Sequence, residues 1–413
     1  MWAQVAMAAD APAVTTPAAP EPIDYVRVCD AQGTGYFYIP GTETCMRISG
    51  LVYYEYWVNG SDGYNQPGWY NRDLAGSLSY VRSELFVDAR TATEFGDLRS
   101  HIDLRFNNYD ANGSVNRTYQ GNQTNLNLYQ GYISWNGFTA GRIQSFYDFF
   151  TGSTYEENYE PAWSDNKLNV FAYTYKVTSG LNATVSIEDT AERRYGIINA
   201  PGYFTGTESL GYAGARYPDI VGQLNWTQSW GAVQLSAASH DVMATETAGY
   251  GVDSSKMGWA VGLGAQFNLP FLGSGDSITF QGNITQGALS YAAVNAIGPT
   301  TLVGSTTPAA ADAIVVDQSG TNALQLANAW SFGGGLTHNF SPQWQLNLGA
   351  SYLDVTNLTS AYDFTNTDFQ ANVIYMPINN FSIGAEVEYK YIAPTTGPTG
   401  NALTTLIHFE RDF

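Results

Sequence analysis

The stretch Leu98-Arg99-Ser100-His101-Ile102-Asp103-Leu104-Arg105-Phe106 alternates without a break. Leu98, Ile102, Leu104 and Phe106 share one face with Ser100, while Arg99, His101, Asp103 and Arg105 fill the other. Period-two alternation marks a strand with two unlike faces. In a soluble sheet these would be a core face and a solvent face. In a membrane-crossing barrel they would be a lipid face and a lumen face.

The same alternation recurs along the chain. Met46, Ile48, Val52, Tyr54, Tyr56 and Val58 oppose Arg47, Ser49, Tyr53 and Glu55. Val81, Leu85, Val87 and Ala89 oppose Arg82, Glu84, Asp88 and Arg90. Leu181, Ala183, Val185 and Ile187 oppose Asn182, Thr184, Ser186 and Glu188. Trp259, Val261, Leu263, Ala265 and Phe267 oppose small and polar residues. Phe381, Ile383, Ala385, Val387 and Tyr389 oppose Glu386, Glu388 and Lys390. Aromatic residues sit at the ends of several apolar faces, as interfacial girdles do.

The connections separate the barrel from a sandwich. Asn136-Gly137, Thr178-Ser179-Gly180, Ser229-Trp230-Gly231, Asn339 to Pro342 and Pro377 to Asn380 read as short turns. Between them lie eight longer polar stretches, about 59–71, 109–123, 148–166, 191–216, 243–256, 291–322, 355–363 and 393–401. Short periplasmic turns alternating with long outer loops are what a transmembrane barrel requires. The fold expected is all-β: a closed antiparallel transmembrane β-barrel of about 16 strands, with loop three folded into the lumen. A barrel of that size leaves an aqueous channel.

Composition agrees. The 413 residues are 44% hydrophobic and 13% charged, so half of each strand can face water while no run approaches a membrane helix. Gly (42) and Tyr (29) suit short strands and tight turns. The net charge of −20 argues against nucleic acid as a partner, since phosphate binding needs a basic surface. The four histidines (His101, His240, His338, His408) are scattered and Cys-x-x-Cys is lacking, so no metal and no cofactor is expected. Cys29 and Cys45 close a short loop and read as a disulfide in an oxidising compartment, stabilising by about 3 kcal/mol.

Residues 1–22 read as a signal remnant and Pro/Ala-rich leader, with Ala6-Met7-Ala8 like a cleavage site. Residues 23–43 read as a disulfide-linked periplasmic-side segment, and 44–413 as the barrel. At the other end Leu403, Thr405, Ile407, Phe409, Arg411 and Phe413 alternate up to a terminal aromatic. Phe409 and Phe413 are similar to the C-terminal assembly signal of outer-membrane barrels, and the last strand is expected to pair near Met46–Val58.

The segment from Val26 to Cys45 holds a Cys, the Gly-aromatic run Gly33-Thr34-Gly35-Tyr36-Phe37-Tyr38, then Ile39-Pro40-Gly41-Thr42-Glu43-Thr44 and a second Cys. It resembles the N-terminal signature of the alphaproteobacterial, rhizobial-type porin family. Gly141-Arg142 with Ser145-Phe146-Tyr147-Asp148-Phe149 resembles that family's fifth strand and the start of its third loop. Ile187-Glu188-Asp189 with Arg193-Arg194 resembles a later block. Stretches 191–216 and 291–322 do not align. The resemblance implies a homotrimeric general porin in the outer membrane of a Gram-negative bacterium. Its partners would be ions and small hydrophilic solutes, with outer-membrane lipid and lipopolysaccharide around it.

A pore of this width needs a narrowing. Loop 148–166 offers the acids Asp148, Glu156, Glu157, Glu160 and Asp165, with almost no apolar anchor. Seven of thirteen arginines fall between Arg72 and Arg142. Arg82, Arg90, Arg99, Arg105 and Arg142 are assigned to lumen positions on the second, third and fifth strands. Guanidiniums on the wall facing carboxylates on the loop would set a permanent transverse field. The bland alternative is that these arginines only pair with Glu84, Asp88 and Asp103. The acidic excess points to cation preference.

Three other functions are weaker. A substrate-selective channel, for sugars for example, would show a lumen-facing aromatic stripe, for which only Tyr80 and Phe86 are candidates. A hydrolase could use Gly275-Asp276-Ser277-Ile278, faintly like a lipase nucleophile block, but no Asp-x-x-His follows and the block falls in a turn, so the chain is not expected to be an enzyme. A secreted sandwich would not need the loop alternation.

Overall fold

The computed structural model describes residues 27–62, 77–109, 123–155, 161–199, 211–244, 252–253, 255–294, 310–318, 321–358, 360 and 362–413. The expected leader, 1–22, lies outside them.

Sixteen long strands follow one another along the chain. They are β1 (Thr44–Asp62), β2 (Ser77–Thr93), β3 (Gly96–Tyr109), β4 (Gln123–Trp135), β5 (Phe138–Gln144), β6 (Lys167–Thr178), β7 (Leu181–Glu188) and β8 (Asp219–Gln228). Then come β9 (Gly231–Met243), β10 (Ser255–Asn268), β11 (Ser277–Gln286), β12 (Asn328–Ser341), β13 (Trp344–Thr356), β14 (Phe364–Ile378), β15 (Phe381–Pro394) and β16 (Gly400–Asp412). Each pairs antiparallel with its sequence neighbours. β16 also pairs with β1, from Leu51↔Asp412 to Asp62↔Asn401, so the sheet closes. Closure leaves no backbone edge to satisfy in a membrane.

The last residue completes the seam. Phe413 N–H donates to Gly50 O at 2.9 Å, and Gly50 N–H donates to Phe413 O at 3.0 Å. A side chain on Gly50 would collide with Glu84 O at 2.3 Å and with the Phe413 ring at 2.8 Å.

Burial is reversed relative to a soluble protein. Leu263, Ile284, Phe332, Phe369 and Ile407 are exposed, while Asn283, Ser331, Gln370, Glu388 and His408 are buried. An apolar exterior around a polar interior is stable only where the exterior meets lipid. The short turns are tight for a local reason. Asn136 (φ 49°) and Gly137 (φ 86°) are both left-handed, as a two-residue hairpin needs.

The loop end carries what the alternation could not show. Ile197–Asn199, Val252–Asp253, Ala313–Gln318 and Thr321–Leu326 form a separate four-stranded sheet, partly parallel. It falls mostly within stretches expected to be plain loops, with Thr321–Leu326 running beyond the expected end at 322. Ile198, Leu289, Ile314, Leu353, Val355 and Phe364 form an apolar cluster beside it. The largest buried apolar cluster among the described residues therefore sits at the long-loop end, and a smaller one joins Tyr147 to Val221, Ala238 and Ala260 on the inner wall.

Candidate functional site

The strand alternation places two different surfaces on the inner wall. The first spans β1 to β4 and is charged. Arg82 Nε donates to Tyr80 Oη at 2.8 Å and to Asn107 Oδ1 at 2.9 Å, with its guanidinium 5.1 Å from the Tyr53 ring. Arg105 Nε lies 2.8 Å from Glu84 Oε1, and its guanidinium stacks 3.1 Å above the Tyr129 ring centroid. Lys167 Nζ lies 2.7 Å from Asp165 Oδ1 and 4.9 Å from the same ring. Arg82, Arg105, Tyr129, Asp165 and Lys167, with Asn107, Asn127, Thr151, Thr154 and Tyr155, line a cavity of about 530 Å³.

Local structure explains the crowding. A register shift between Asp103 and Leu104 lets Asp103 pair with Gln130 and Leu104 with Leu128, leaving Tyr129 as an extra residue. A bulge re-aims side chains in this way.

The second surface is lined by small and amide residues on β9–β13 and gains buried charges on β14 and β15, and loop three packs on it. Gln234 Nε2 on β9 donates to Tyr147 O and Asp148 O. Tyr147 Oη donates to Asn283 Oδ1 on β11 at 3.2 Å, and Phe150 N–H to Gln281 Oε1 at 2.9 Å. Further along, Thr154 Oγ1 donates to Gln370 Oε1 on β14 at 2.6 Å, and Tyr155 N–H to Glu386 Oε2 on β15 at 2.8 Å. On the return, Ala162 N–H donates to Ser351 Oγ on β13 at 2.7 Å. The ring of Tyr155 stacks on His408 with centroids 4.1 Å apart.

Glycines make room for the loop. A Cβ on Gly264 would overlap the Phe149 ring, one on Gly335 would lie 2.7 Å from Phe150 Cζ, and one on Gly384 would overlap Tyr155. The loop has apolar anchors after all: Tyr147, Phe150 and Trp163 are buried. The expectation of an unanchored acidic loop is corrected, because its acids stand out in sequence while its aromatics fill these gaps.

Two expected site residues have other roles. Asp148 does not face the wall arginines. It is buried, accepts from Ser164 Oγ and Gln144 Nε2, from Asn166 N–H at 2.7 Å, and pairs with Arg193 NH2 at 3.1 Å. Arg193 is fully buried, 4.2 Å from the Tyr291 ring centroid. Desolvation alone would lower its pKa, but Asp148, Tyr291 and Glu188 outweigh that and raise it above the ordinary guanidinium value. Arg142 also leaves the wall. On β5 it shares parity with the exposed Phe138, and it pairs with Glu192 at 2.6 Å.

The remaining expected residues divide. Arg82, Arg105 and Asp165 meet at the cavity. Arg90 and Arg99 stand further toward the short turns, sharing Asp88. Glu156, Glu157 and Glu160 lie outside the described residues. Cys29 and Cys45 are disulfide-bonded. Phe409 is exposed on β16 opposite Tyr54. Sequence reasoning missed Lys167, Tyr129 and Arg193. It named Tyr80 as a lumen aromatic but missed that Tyr53 and Trp57 join it in a row, because each strand was read alone and the row crosses strands. The turn residue Asp276, in the block weighed for hydrolysis, accepts from Asn339 N–H at 2.8 Å and contacts His338.

Comparison with known proteins adds an independent line. The family model described as Porin subfamily matches residues 13–408. Porin Omp2b of Brucella canis is 29% identical over 406 residues, covering 95% of this chain and 92% of the relative. Porin Omp2b of Brucella suis biovar 1 matches with the same identity and coverage. Among solved structures, the outer membrane channel DcaP of Acinetobacter baumannii aligns with TM-score 0.67 at 14% identity, covering 91% of this chain and 99% of that one. OmpT of Vibrio cholerae aligns with TM-score 0.51 at 9% identity, covering 91% and 99%. These structures share the fold.

Proposed function

This chain belongs to the porin subfamily, and from that premise we propose that its barrel is an outer-membrane general diffusion channel narrowed by loop three. Ions and small hydrophilic solutes pass through the cavity between the loop and the β2–β4 wall. The observation that supports this reading is that Arg82 and Arg105 of the wall line the same cavity as Thr151, Thr154 and Asp165 of the loop, with Lys167 paired to Asp165. Charges fixed across a narrow passage orient dipolar solutes and disfavour apolar ones. The net charge of −20 and the carboxylates Glu55, Glu386 and Glu388 on the inner face favour cations overall. Three copies assemble in the membrane.

The test is single-channel recording in a planar bilayer under a salt gradient. Ohmic openings in three equal steps, with a cation-selective reversal potential, are expected. Properly folded, heat-modifiable protein that never conducts would overturn the reading.

A substrate-selective channel is the second reading, favoured by the row Tyr53, Trp57 and Tyr80 on the inner wall. Liposome swelling separates the two. Rates graded by solute size support general diffusion, and a rate that saturates for one sugar supports selectivity.

A further inference from the structure

At the short-turn end of the wall a second basic group stands apart from the cavity. Arg90 and Arg99 are direct cross-strand partners in the β2–β3 ladder. Like charges placed so destabilise a sheet unless something negative lies between them. Asp88 lies there. Its Oδ1 accepts from Arg90 Nε at 2.7 Å and its Oδ2 from Arg99 Nε at 2.6 Å. Tyr36 Oη donates to the same Oδ1 at 2.6 Å, and His101 Nδ1 lies 3.2 Å from Oδ2. Both carboxylate oxygens are thereby used.

Arg47 is the ladder partner of Asp88. Its guanidinium lies 5.1 Å from the Tyr36 ring, and among the described residues it makes no ion pair. Two guanidiniums thus share one carboxylate while Arg47 stands beside it with no ion pair among the described residues, so three positive charges surround one negative. The side chains of Arg90 and Arg99 are 27% and 31% exposed, so they present donors to solvent as well as to Asp88.

The group is held from behind by the N-terminal segment. Tyr36 is buried with Cys29 and Cys45, and Cys45 is the ladder partner of Arg90. Cys29 N–H donates to Tyr36 O at 2.9 Å. The disulfide therefore fixes the ring on which Arg47 and Arg90 rest, the latter at 5.0 Å. A guanidinium fork matches two oxygens of one anion, and pre-positioned forks lose little entropy on binding.

We propose that Arg47, Arg90 and Arg99 form an oxyanion station at the short-turn mouth, where small phosphates or carboxylates pause in passage. The station rests on the channel reading above, but it is separate from the loop-three cavity.

The probe is inorganic phosphate, added to one chamber and then the other during single-channel recording in potassium chloride. Phosphate is expected to reduce the current at lower concentration from the short-turn side. The double variant Arg90→Gln/Arg99→Gln should raise the half-blocking concentration about tenfold and shift the reversal potential toward stronger cation selectivity. Arg142→Gln, away from the station, should change neither. Ohmic channels that ignore phosphate, or that respond equally from both sides or equally in the double variant, overturn the station and leave the channel reading standing. Folded wild-type protein that never conducts overturns both. Should the double variant not assemble, the sidedness of the wild-type block decides alone.

Discussion

The two inner surfaces of this barrel solve different problems with different residues. The β9–β13 side is lined by small and amide residues, with buried charges added on β14 and β15, and loop three packs on it. The β1–β4 side is lined by arginine, tyrosine and carboxylate, and it borders the open cavity. Where a loop must pack, glycine gives space and amides satisfy its backbone. Where solute must pass, charges are paired and stacked so that they hold position. The contrast teaches that one side is built for packing and, on the proposed reading, the other for selectivity, so changes on the two sides should be separable.

The largest expected effect tests what pins the packed side. Asp148→Ala removes the ion-pair partner of the fully buried Arg193 and leaves only the more distant Glu188 to balance it. Breaking a buried pair costs about 3–5 kcal/mol. Loop three should loosen, with a lower heat-modification temperature on gels and a higher single-channel conductance. Unchanged values for both would show that the loop is held without this pair.

The next effect isolates one contact on the same side. Gly264 has ordinary backbone angles, and valine is a better strand former than glycine. If nothing packed there, Gly264→Val would stabilise β10. With the Phe149 ring in place it should destabilise by about 1–3 kcal/mol through overpacking. Conductance should change while ion selectivity does not. A stabilised variant would break the account of the loop.

Much of this was legible from alternation alone. The strand count, the closure of β16 on β1 and the polar interior follow from period two and from loop length. The split of the arginines did not follow. Arg82, Arg90, Arg99 and Arg105 all face inward, but only register reveals that Arg82 and Arg105 share Glu84 while Arg90 and Arg99 share Asp88. Arg142 was misplaced because its strand is short: seven residues give too few alternations to fix parity. Asp148 looked like a pore acid because its partner, Arg193, is 45 residues away. The small inward residues opposite Trp259 to Phe267 were visible, but their meaning depended on the aromatics of a distant loop.

On the open side the expected effect is on selectivity. Arg105→Gln removes a positive charge from the cavity wall and leaves Glu84 less balanced. A change of ~1 kcal/mol in the potential felt by an ion is a factor of roughly five in permeability. The reversal potential under a salt gradient should move toward stronger cation preference. A shift in conductance with no shift in reversal potential would erase the contrast between the two sides.

The smallest effect lies at the short-turn end, in the turn after β10. Burial would raise the Asp276 pKa, but hydrogen bonds from Asn339 and His338 outweigh it and hold the carboxyl below its ordinary value of 3.8. A depressed carboxyl stabilises the fold fully above the unfolded value. That contribution is lost as pH falls through the lower folded value. Protection of the Asn339 N–H in hydrogen exchange, corrected for intrinsic rates, should stay level from neutral pH down to about pH 4 and fall only below it. Asp276→Asn should keep the turn but abolish the pH dependence. Protection that begins to fall well above pH 4, or that keeps its pH dependence in Asp276→Asn, would show that the Asp276 carboxyl does not set the turn's stability.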